Sequence, residues 1–82
     1  MKIVSWNING LRAVMKKGFL ESLKELDPDI LFLQEIKMQE DQKTAEMDLA
    51  SLGYHLRMHP AQRKGYSGVA VYTCVLLVWF YQ

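Results

Sequence analysis

The feature that most constrains this chain is a short apolar run, Ile30-Leu31-Phe32-Leu33, with polar groups at both ends. A continuous run of this length is typical of a strand that is buried on both faces of a sheet. Pro28 precedes the run and cannot continue a helix, so any upstream helix is expected to end at Asp27. Gln34-Glu35 follow the run and mark the carboxyl end of the strand. The chain is therefore expected to fold around a covered strand.

Two elements are predicted before this strand. Ile3–Asn7 is apolar and β-branched at its start and polar at its end, which predicts a short strand, and Asn9-Gly10 is a turn signal. Between Gly18 and Leu26 the apolar residues recur at the spacing of an amphipathic helix. The apolar residues of that pattern are Phe19, Leu20, Leu23 and Leu26.

Three elements are predicted after it. Asp41–Leu52 is predicted as a helix with apolar residues on one side and with Gly53 as its C-terminal cap. Tyr54–His59 alternates between apolar and polar residues, which predicts a half-exposed strand. Pro60–Gly65 is a polar turn, and Val69–Tyr72 returns as a strand. The predicted order, β-α-β-α-β-β, indicates a mixed α/β layered architecture.

The composition restricts the class of protein. A chain of 82 residues is one small domain or a piece of a larger one, and a chain this short buries only about 60% of its unfolded surface. Half of the residues are apolar and the net charge is +1, which is typical of a globular protein. The one cysteine, Cys74, excludes an intramolecular disulfide, and no Cys/His cluster has zinc spacing, so a reducing cytoplasm is expected.

Neither end of the sequence predicts a membrane segment or a signal peptide. Met1–Trp6 contains too short an apolar run for a signal peptide. Val75–Tyr81 is apolar but falls short of the roughly 18 residues that a membrane span needs. No contact with a membrane is therefore expected.

Polar side chains stand at the ends of two predicted strands. Asn7 and Asn9 follow the first strand, where turn chemistry alone would also explain them. Glu35 follows the apolar run, where a carboxylate could be a hard-oxygen ligand for Mg²⁺ or simply a solvated group. If the two strands are neighbours, Asn7 and Glu35 emerge at one edge of the sheet and could share a cation.

A basic loop follows the third predicted strand. Arg63-Lys64-Gly65-Tyr66-Ser67-Gly68 combines two cations, a flexible backbone and an aromatic ring, which suits a phosphodiester backbone. An ordinary charged hairpin loop has the same composition. Arg12 with Lys16-Lys17 is explained equally well as a solvated helix entrance, and His55 and His59 are predicted to be surface residues without a role.

Four motifs together resemble the opening of exonuclease III and related apurinic/apyrimidinic (AP) endonucleases. They occur in the family's order and spacing and cover residues 1–73. The motifs are Ser5-Trp6-Asn7-Ile8-Asn9-Gly10-Leu11-Arg12-Ala13, Asp27-Pro28-Asp29-Ile30-Leu31, Leu33-Gln34-Glu35-Ile36-Lys37 and Lys64-Gly65-Tyr66-Ser67-Gly68-Val69-Ala70.

This resemblance implies a fold and an activity. The expected fold is DNase I-like, an α/β sandwich of two packed sheets flanked by helices, of which this chain is the incomplete amino-terminal part. The expected activity is cleavage of double-stranded DNA 5′ to abasic sites and removal of nucleotides and blocking groups from 3′ ends. The implied cofactor is Mg²⁺, with Mn²⁺ as the alternative, and the full-length family member is expected to be a monomer.

The resemblance also implies roles for individual residues. Glu35 matches the family's Mg²⁺ ligand, Asn7 a residue that orders the catalytic hydrogen bonds, and Asn9 a position near the metal. The positions that match DNA-contacting residues of the family are Arg12, Lys64, Gly65, Tyr66 and Ser67.

The sequence also departs from the family. Residues 74–82 form an apolar tail unlike the family, and a frameshift is the expected origin of this tail. The later motifs, which supply a catalytic Tyr, an Asp/Asn pair for the attacking water and an Asp-His pair, do not occur. The alternative function is therefore a truncated, inactive remnant that binds DNA weakly. A phosphomonoesterase or sphingomyelinase of the wider fold is disfavoured by the Lys64–Gly68 loop.

Overall fold

The apolar run forms an interior strand of a four-stranded sheet. The computed structural model describes residues 1–61 and 67–74. The strands are Ile3–Asn7 (β1), Ile30–Gln34 (β2), His55–His59 (β3) and Val69–Thr73 (β4), in the spatial order β1-β2-β4-β3. β1 and β2 are parallel, and β4 is antiparallel to both β2 and β3. All four predicted strands are confirmed, with ends that differ by no more than one residue.

The sheet has one face that packs on the core and an outer face opposite to it. The alternation of side chains along each strand produces this division. The inward-facing residues are Val4, Trp6, Leu31, Leu33, Leu56, Met58, Ala70 and Tyr72. Several large apolar side chains remain exposed on the outer face, namely Ile3, Phe32 and Val69. The prediction that the apolar run is buried on both faces is therefore wrong at Phe32, because nothing in the described residues covers that face there.

Two helices cover the inner face. Phe19–Leu26 (α2) begins after Gly18, whose φ of 87° is left-handed, and ends at Asp27, whose N–H donates to the Leu23 carbonyl at 2.8 Å. The predicted helix and its stop before Pro28 are thus confirmed. Leu11–Met15 (α1) is a five-residue helix that the sequence did not predict.

Aromatic side chains fill the core beneath the helices. Trp6 stacks on Phe19 with ring centroids 5.6 Å apart. Tyr72 is fully buried and donates from its hydroxyl to the Met47 carbonyl at 2.6 Å. Tyr54 is also buried and donates to the Pro28 carbonyl at 2.6 Å. Both hydroxyls are therefore satisfied by backbone, as burial of a polar group requires.

The predicted helix over Asp41–Leu52 is wrong. This segment instead forms three short 3-10 turns, at Glu40–Gln42, Ala45–Met47 and Ala50–Leu52. Met47 and Leu49 are the buried residues, and their spacing of two does not lie on one helical face. Gly53 nevertheless ends the last turn with a left-handed φ of 89°, as predicted.

Two predicted segments fall outside the described residues. Most of the Pro60–Gly65 turn lies within 62–66, and the whole Val75–Tyr81 run lies within 75–82. In the part of the chain that the structure describes, no helix has the length and apolar character of a membrane span.

Candidate functional site

The carboxyl ends of β1 and β2 meet at one edge of the sheet. Asn7 and Gln34 are partners across the two parallel strands, which places Glu35 one residue beyond. The Asn7 side-chain amide, Nδ2, donates to Glu35 Oε2 at 2.8 Å. The predicted proximity of Asn7 and Glu35 is therefore confirmed, and we call this edge the Asn7–Glu35 edge.

The backbone at this edge is unusual. Asn9, Glu35 and Lys37 are left-handed, with φ values of 51°, 59° and 55°. This conformation costs a non-glycine residue about 1–2 kcal/mol, and such residues cluster at functional sites. Asp27, at the end of α2, is the fourth such residue in the described part of the chain. The concentration of three at one edge supports a functional assignment.

Backbone hydrogen bonds hold this conformation in place. The Gly10 N–H donates to the Glu35 carbonyl at 2.7 Å, and the Leu11 N–H donates to the Ile36 carbonyl at 3.0 Å. The Ile36 N–H in turn donates to the Gly68 carbonyl at 3.2 Å. Because the Ile36 side chain is fully buried, it anchors the segment between Glu35 and Lys37 in the core. The exit of β1, the exit of β2 and the entrance of β4 are thus joined.

A second set of side-chain contacts extends from Asn7. The Asn7 Oδ1 accepts a hydrogen bond from the Asn9 N–H at 3.2 Å. The Lys37 ammonium donates to Asn9 Oδ1. Arg12 donates from its guanidinium to the Lys37 carbonyl at 3.1 Å, and the Lys37 N–H donates to the Ser67 carbonyl at 2.9 Å.

Lys37 is the residue that sequence reasoning missed. It belongs to one of the four motifs, but the resemblance implies no role for it. Its position was the available signal, because a cation directly after the apolar Ile36 and two residues after Glu35 stays near the strand end. The left-handed backbone that aims its side chain at Asn9 could not be read from that spacing.

The donor atoms at the Asn7–Glu35 edge fit a hard cation. Half-buried Glu35 supplies carboxylate oxygens, and Asn7 and Asn9 supply amide oxygens. An all-oxygen set suits Mg²⁺ or Mn²⁺, and Mg²⁺ usually keeps several waters besides one or two carboxylates. No group of three or more His, Cys, Asp or Glu residues suited to a metal occurs in 1–61 or 67–74. The metal roles of Glu35, Asn7 and Asn9 stay predictions.

The predicted DNA-contacting residues are partly described. Arg12 is exposed on α1 and lies beside the site through its contact with the Lys37 carbonyl. Ser67 is exposed at the entrance of β4. Lys64, Gly65 and Tyr66 lie outside the described residues. Contact of these residues with DNA stays a prediction.

Residues 4–80 match the endonuclease/exonuclease/phosphatase family. An exodeoxyribonuclease of Bacillus subtilis (strain 168) is 53% identical over 74 residues, which cover 89% of this chain and 28% of the relative. A DNA-(apurinic or apyrimidinic site) endonuclease of Dictyostelium discoideum is 38% identical over 73 residues, which cover 89% of this chain and 20% of the relative.

Solved structures show the same fold. An AP endonuclease from Archaeoglobus fulgidus aligns with a TM-score of 0.75 and 34% identity over 90% of this chain and 27% of that protein. A 3′-5′ exonuclease from Neisseria meningitidis aligns with a TM-score of 0.71 and 36% identity over 90% of this chain and 27% of that protein.

These alignments confirm the predicted fold class, the amino-terminal part of a DNase I-like α/β sandwich. In these comparisons the chain spans between 20% and 28% of the proteins it matches.

Proposed function

Because the chain belongs to the endonuclease/exonuclease/phosphatase family, we propose that it forms the metal-binding part of a Mg²⁺-dependent DNA-repair nuclease. The proposed reaction is hydrolysis of the phosphodiester bond 5′ to an abasic site and removal of nucleotides and blocking groups from 3′ ends. The names of the relatives, exodeoxyribonuclease and AP endonuclease, support this substrate class. The observation that carries the proposal is the 2.8 Å contact of Asn7 with Glu35 at the ends of two parallel strands.

Each residue at the Asn7–Glu35 edge has a chemical task in this proposal. Glu35 would hold the metal with a carboxylate oxygen, and Asn7 would orient that carboxylate through its amide. When bound, the metal polarises the phosphate and offsets the charge that develops on the leaving oxygen. Arg12, exposed beside the site, would contact a phosphate of the DNA backbone. Lys64, Gly65, Tyr66 and Ser67 are proposed for the same role.

A second function is proposed for the 82-residue chain by itself, namely weak binding of DNA without hydrolysis. Phosphodiester hydrolysis needs an activated water as well as a stabilised leaving group. In the described part of the chain, Glu35 is the carboxylate that Asn7 contacts, and no histidine joins their hydrogen bonds. His55 and His59 lie on β3, which is separated from β2 by β4. The lack of a histidine among the described hydrogen bonds of Asn7 and Glu35 favours a chain that does not hydrolyse DNA by itself.

A hybrid protein tests the first function. Residues 1–73 of this chain would replace the matching segment of the Bacillus subtilis exodeoxyribonuclease, and incision of an abasic duplex would be followed on a sequencing gel. We expect Mg²⁺-dependent incision, and we expect Glu35→Gln in the hybrid to slow it about a hundredfold or more. Glu21→Gln on the exposed surface of α2 is the matched control and should leave the rate unchanged.

The outcomes separate the two functions. A folded hybrid without incision would overturn the first function. A hybrid in which Glu35→Gln leaves the incision rate unchanged would remove Glu35 from the site. The same assay on the 82-residue chain should give no incision. Incision by that chain, lost in Glu35→Gln, would instead overturn the view that it is inactive.

A further inference from the structure

The contact between Lys37 and Asn9 joins a cationic side chain to an oxygen that is proposed to bind the metal. The Lys37 ammonium donates to Asn9 Oδ1. The backbone of Lys37 is held on two sides, by its N–H bond to the Ser67 carbonyl at 2.9 Å and by the Arg12 guanidinium on its own carbonyl at 3.1 Å. The side chain is half-buried. The fold therefore fixes the backbone from which the Lys37 side chain reaches Asn9.

Lys37 is bonded to an amide and not to a carboxylate. Within residues 1–61 and 67–74, the ion pair that the structure shows joins Lys43 to Glu40 at 3.8 Å. Lys37 thus forms no ion pair with Glu35, although only Ile36 separates the two in the sequence. The ammonium group and a metal cation interact with the amide oxygen of Asn9 in the same way, because each places a positive charge next to the oxygen lone pairs.

The hydrogen bonds from Lys37 to Glu35 run in one direction. The Lys37 ammonium donates to the Asn9 side chain, the Asn9 N–H donates to the Asn7 side chain, and the Asn7 amide donates to Glu35. A positive charge stands at one end of this series and a negative charge at the other. The Asn9 side-chain oxygen faces the cation, and the Asn7 amide N–H faces the carboxylate.

We propose that Lys37 competes with the divalent ion for the Asn9 amide oxygen, so that metal binding displaces its ammonium group. This inference rests on the proposed function, because it assumes that Glu35 and Asn9 bind the metal. A Mg²⁺ ion lies about 2.1 Å from its oxygen ligands, and an ammonium donor lies about 2.9 Å from its acceptor. Two cations on one oxygen would therefore be close enough to repel each other strongly.

Displacement has a consequence for the site. The released ammonium stays near the Asn7–Glu35 edge because the Lys37 backbone is held by Arg12 and Ser67. There it can interact with an anionic group such as a phosphate. Lys37 is thus assigned as a positioning residue, which stabilises Asn9 before the metal binds and lowers the affinity for that metal.

The test measures Mn²⁺ binding to the full 82-residue chain by the electron paramagnetic resonance signal of free Mn²⁺. Lys37→Met keeps the length of the side chain but cannot donate or carry charge. We expect it to bind Mn²⁺ about two- to fivefold more tightly than the unaltered chain, the effect of a half-exposed charge. Lys43→Met removes the same charge from a side chain that pairs with Glu40 and not with Asn9. It is the matched control, for which we expect no change.

A second set of variants locates the effect. In an Asn9→Ala background, Lys37→Met should no longer tighten Mn²⁺ binding, because the two residues act on one contact. Lys37→Arg keeps the charge and should not tighten binding. Unchanged or weaker Mn²⁺ binding by Lys37→Met, relative to Lys43→Met, would overturn the competition.

A measurement on the unaltered chain does not depend on the folding of any variant. On titration with Mg²⁺, the ¹³Cε and ammonium resonances of Lys37 should shift at saturation while those of Lys43 stay constant. An unshifted Lys37 would overturn the inference. Glu35→Gln separates this failure from failure of the proposed function, since unchanged Mn²⁺ binding in that variant would remove the metal site itself.

Discussion

The side-chain amide of Asn7 bonds to Glu35 at 2.8 Å and thereby joins the ends of two parallel strands that are 28 residues apart in the sequence. Asn7→Ala removes this contact and frees the carboxylate to rotate. We expect metal affinity to fall about tenfold or more, as when a residue that orients a ligand is lost. Mn²⁺ titration of the chain measures this change.

Ser5→Ala is the matched control for Asn7→Ala. Ser5 lies two residues earlier on the same face of β1 and accepts a hydrogen bond from Gln34 at 2.7 Å. Each variant should lower the free energy of unfolding by about 0.5–1.5 kcal/mol, but only Asn7→Ala should weaken metal binding. Equal metal affinity in the two variants would mean that Asn7 does not orient Glu35.

Burial of Tyr72 makes the free energy of unfolding depend on pH in the alkaline range. Burial, with a smaller contribution from the charge of Asp48, raises the pKa of the Tyr72 hydroxyl above its usual value of 10.0. Above pH 10 the unfolded chain loses this proton while the folded chain keeps it, so stability is complete below about pH 10 and falls as the pH rises. Urea denaturation at pH 9 and pH 11 should show a lower free energy of unfolding at the higher pH.

Tyr72→Phe tests this assignment. The variant leaves the Met47 carbonyl without its hydroxyl donor and should cost about 1–3 kcal/mol at neutral pH. Its stability should then fall less between pH 9 and pH 11 than that of the unaltered chain. The remaining fall would come in part from Tyr54, whose pKa is raised by burial and by nearby negative charge from Cys74, Asp27 and Asp29. An identical pH dependence in the two proteins would contradict the role of Tyr72.

Gly68 lies where two segments of the backbone approach closely. A Cβ at this position would stand 2.9 Å from the Ala61 nitrogen and 3.2 Å from the Pro60 Cα, and its φ of 90° is left-handed. Both the contact and the conformation oppose a side chain, so Gly68→Ala should cost about 2–5 kcal/mol. Urea denaturation gives the value.

Gly53→Ala separates strain from contact. Gly53 has nearly the same φ, 89°, but a Cβ there would meet no atom within 4 Å. This variant should cost only about 1–2 kcal/mol. If the two substitutions cost the same, the close approach of Gly68 to Ala61 does not contribute to stability.

Phe32 is exposed on the outer face of the sheet, whereas its neighbour Leu33 is buried in the core. Apolar side chains that share an exposed face favour association between molecules. Phe32→Thr should increase the soluble fraction on expression and change the free energy of unfolding by less than about 1 kcal/mol. Leu33→Thr should instead cost about 2–5 kcal/mol, because it buries a hydroxyl and leaves a cavity.

The comparison of soluble fraction and thermal melts for these two variants checks the orientation of β2. Similar behaviour of Phe32→Thr and Leu33→Thr would mean that the two faces of the strand are equally covered. A loss of solubility in Phe32→Thr would mean that Phe32 packs against another part of the protein.

Local patterns were sufficient for the strands and for the longer helix. The apolar run at Ile30–Leu33 and the alternation at Tyr54–His59 are short-range signals, and both correctly predict a strand. Whether both faces of Ile30–Leu33 are buried was not predictable in the same way, because it depends on what packs on each face of the sheet. Gly18 and Pro28 mark the two ends of α2 for reasons of backbone geometry that need no tertiary contact.

The shorter helical elements could not be predicted in the same way. α1 has five residues, too few to display a helical period, and its first N–H bonds to the carbonyl of Ile36 on another segment. Between residues 41 and 52 the apolar spacing suggested a helix, but the Asp48 side chain accepts a hydrogen bond from the Ala50 N–H at 3.1 Å and favours a turn instead.

The sequence by itself determined that Asn7 and Glu35 stand at the ends of strands and belong to motifs of one nuclease family. Only the tertiary structure decided that their side chains bond to each other and that the Lys37 ammonium bonds to Asn9. The reason is physical. These contacts link residues 28 positions apart, so they form only when β1 and β2 pair and the left-handed backbone of Lys37 is held by Ser67 and Arg12.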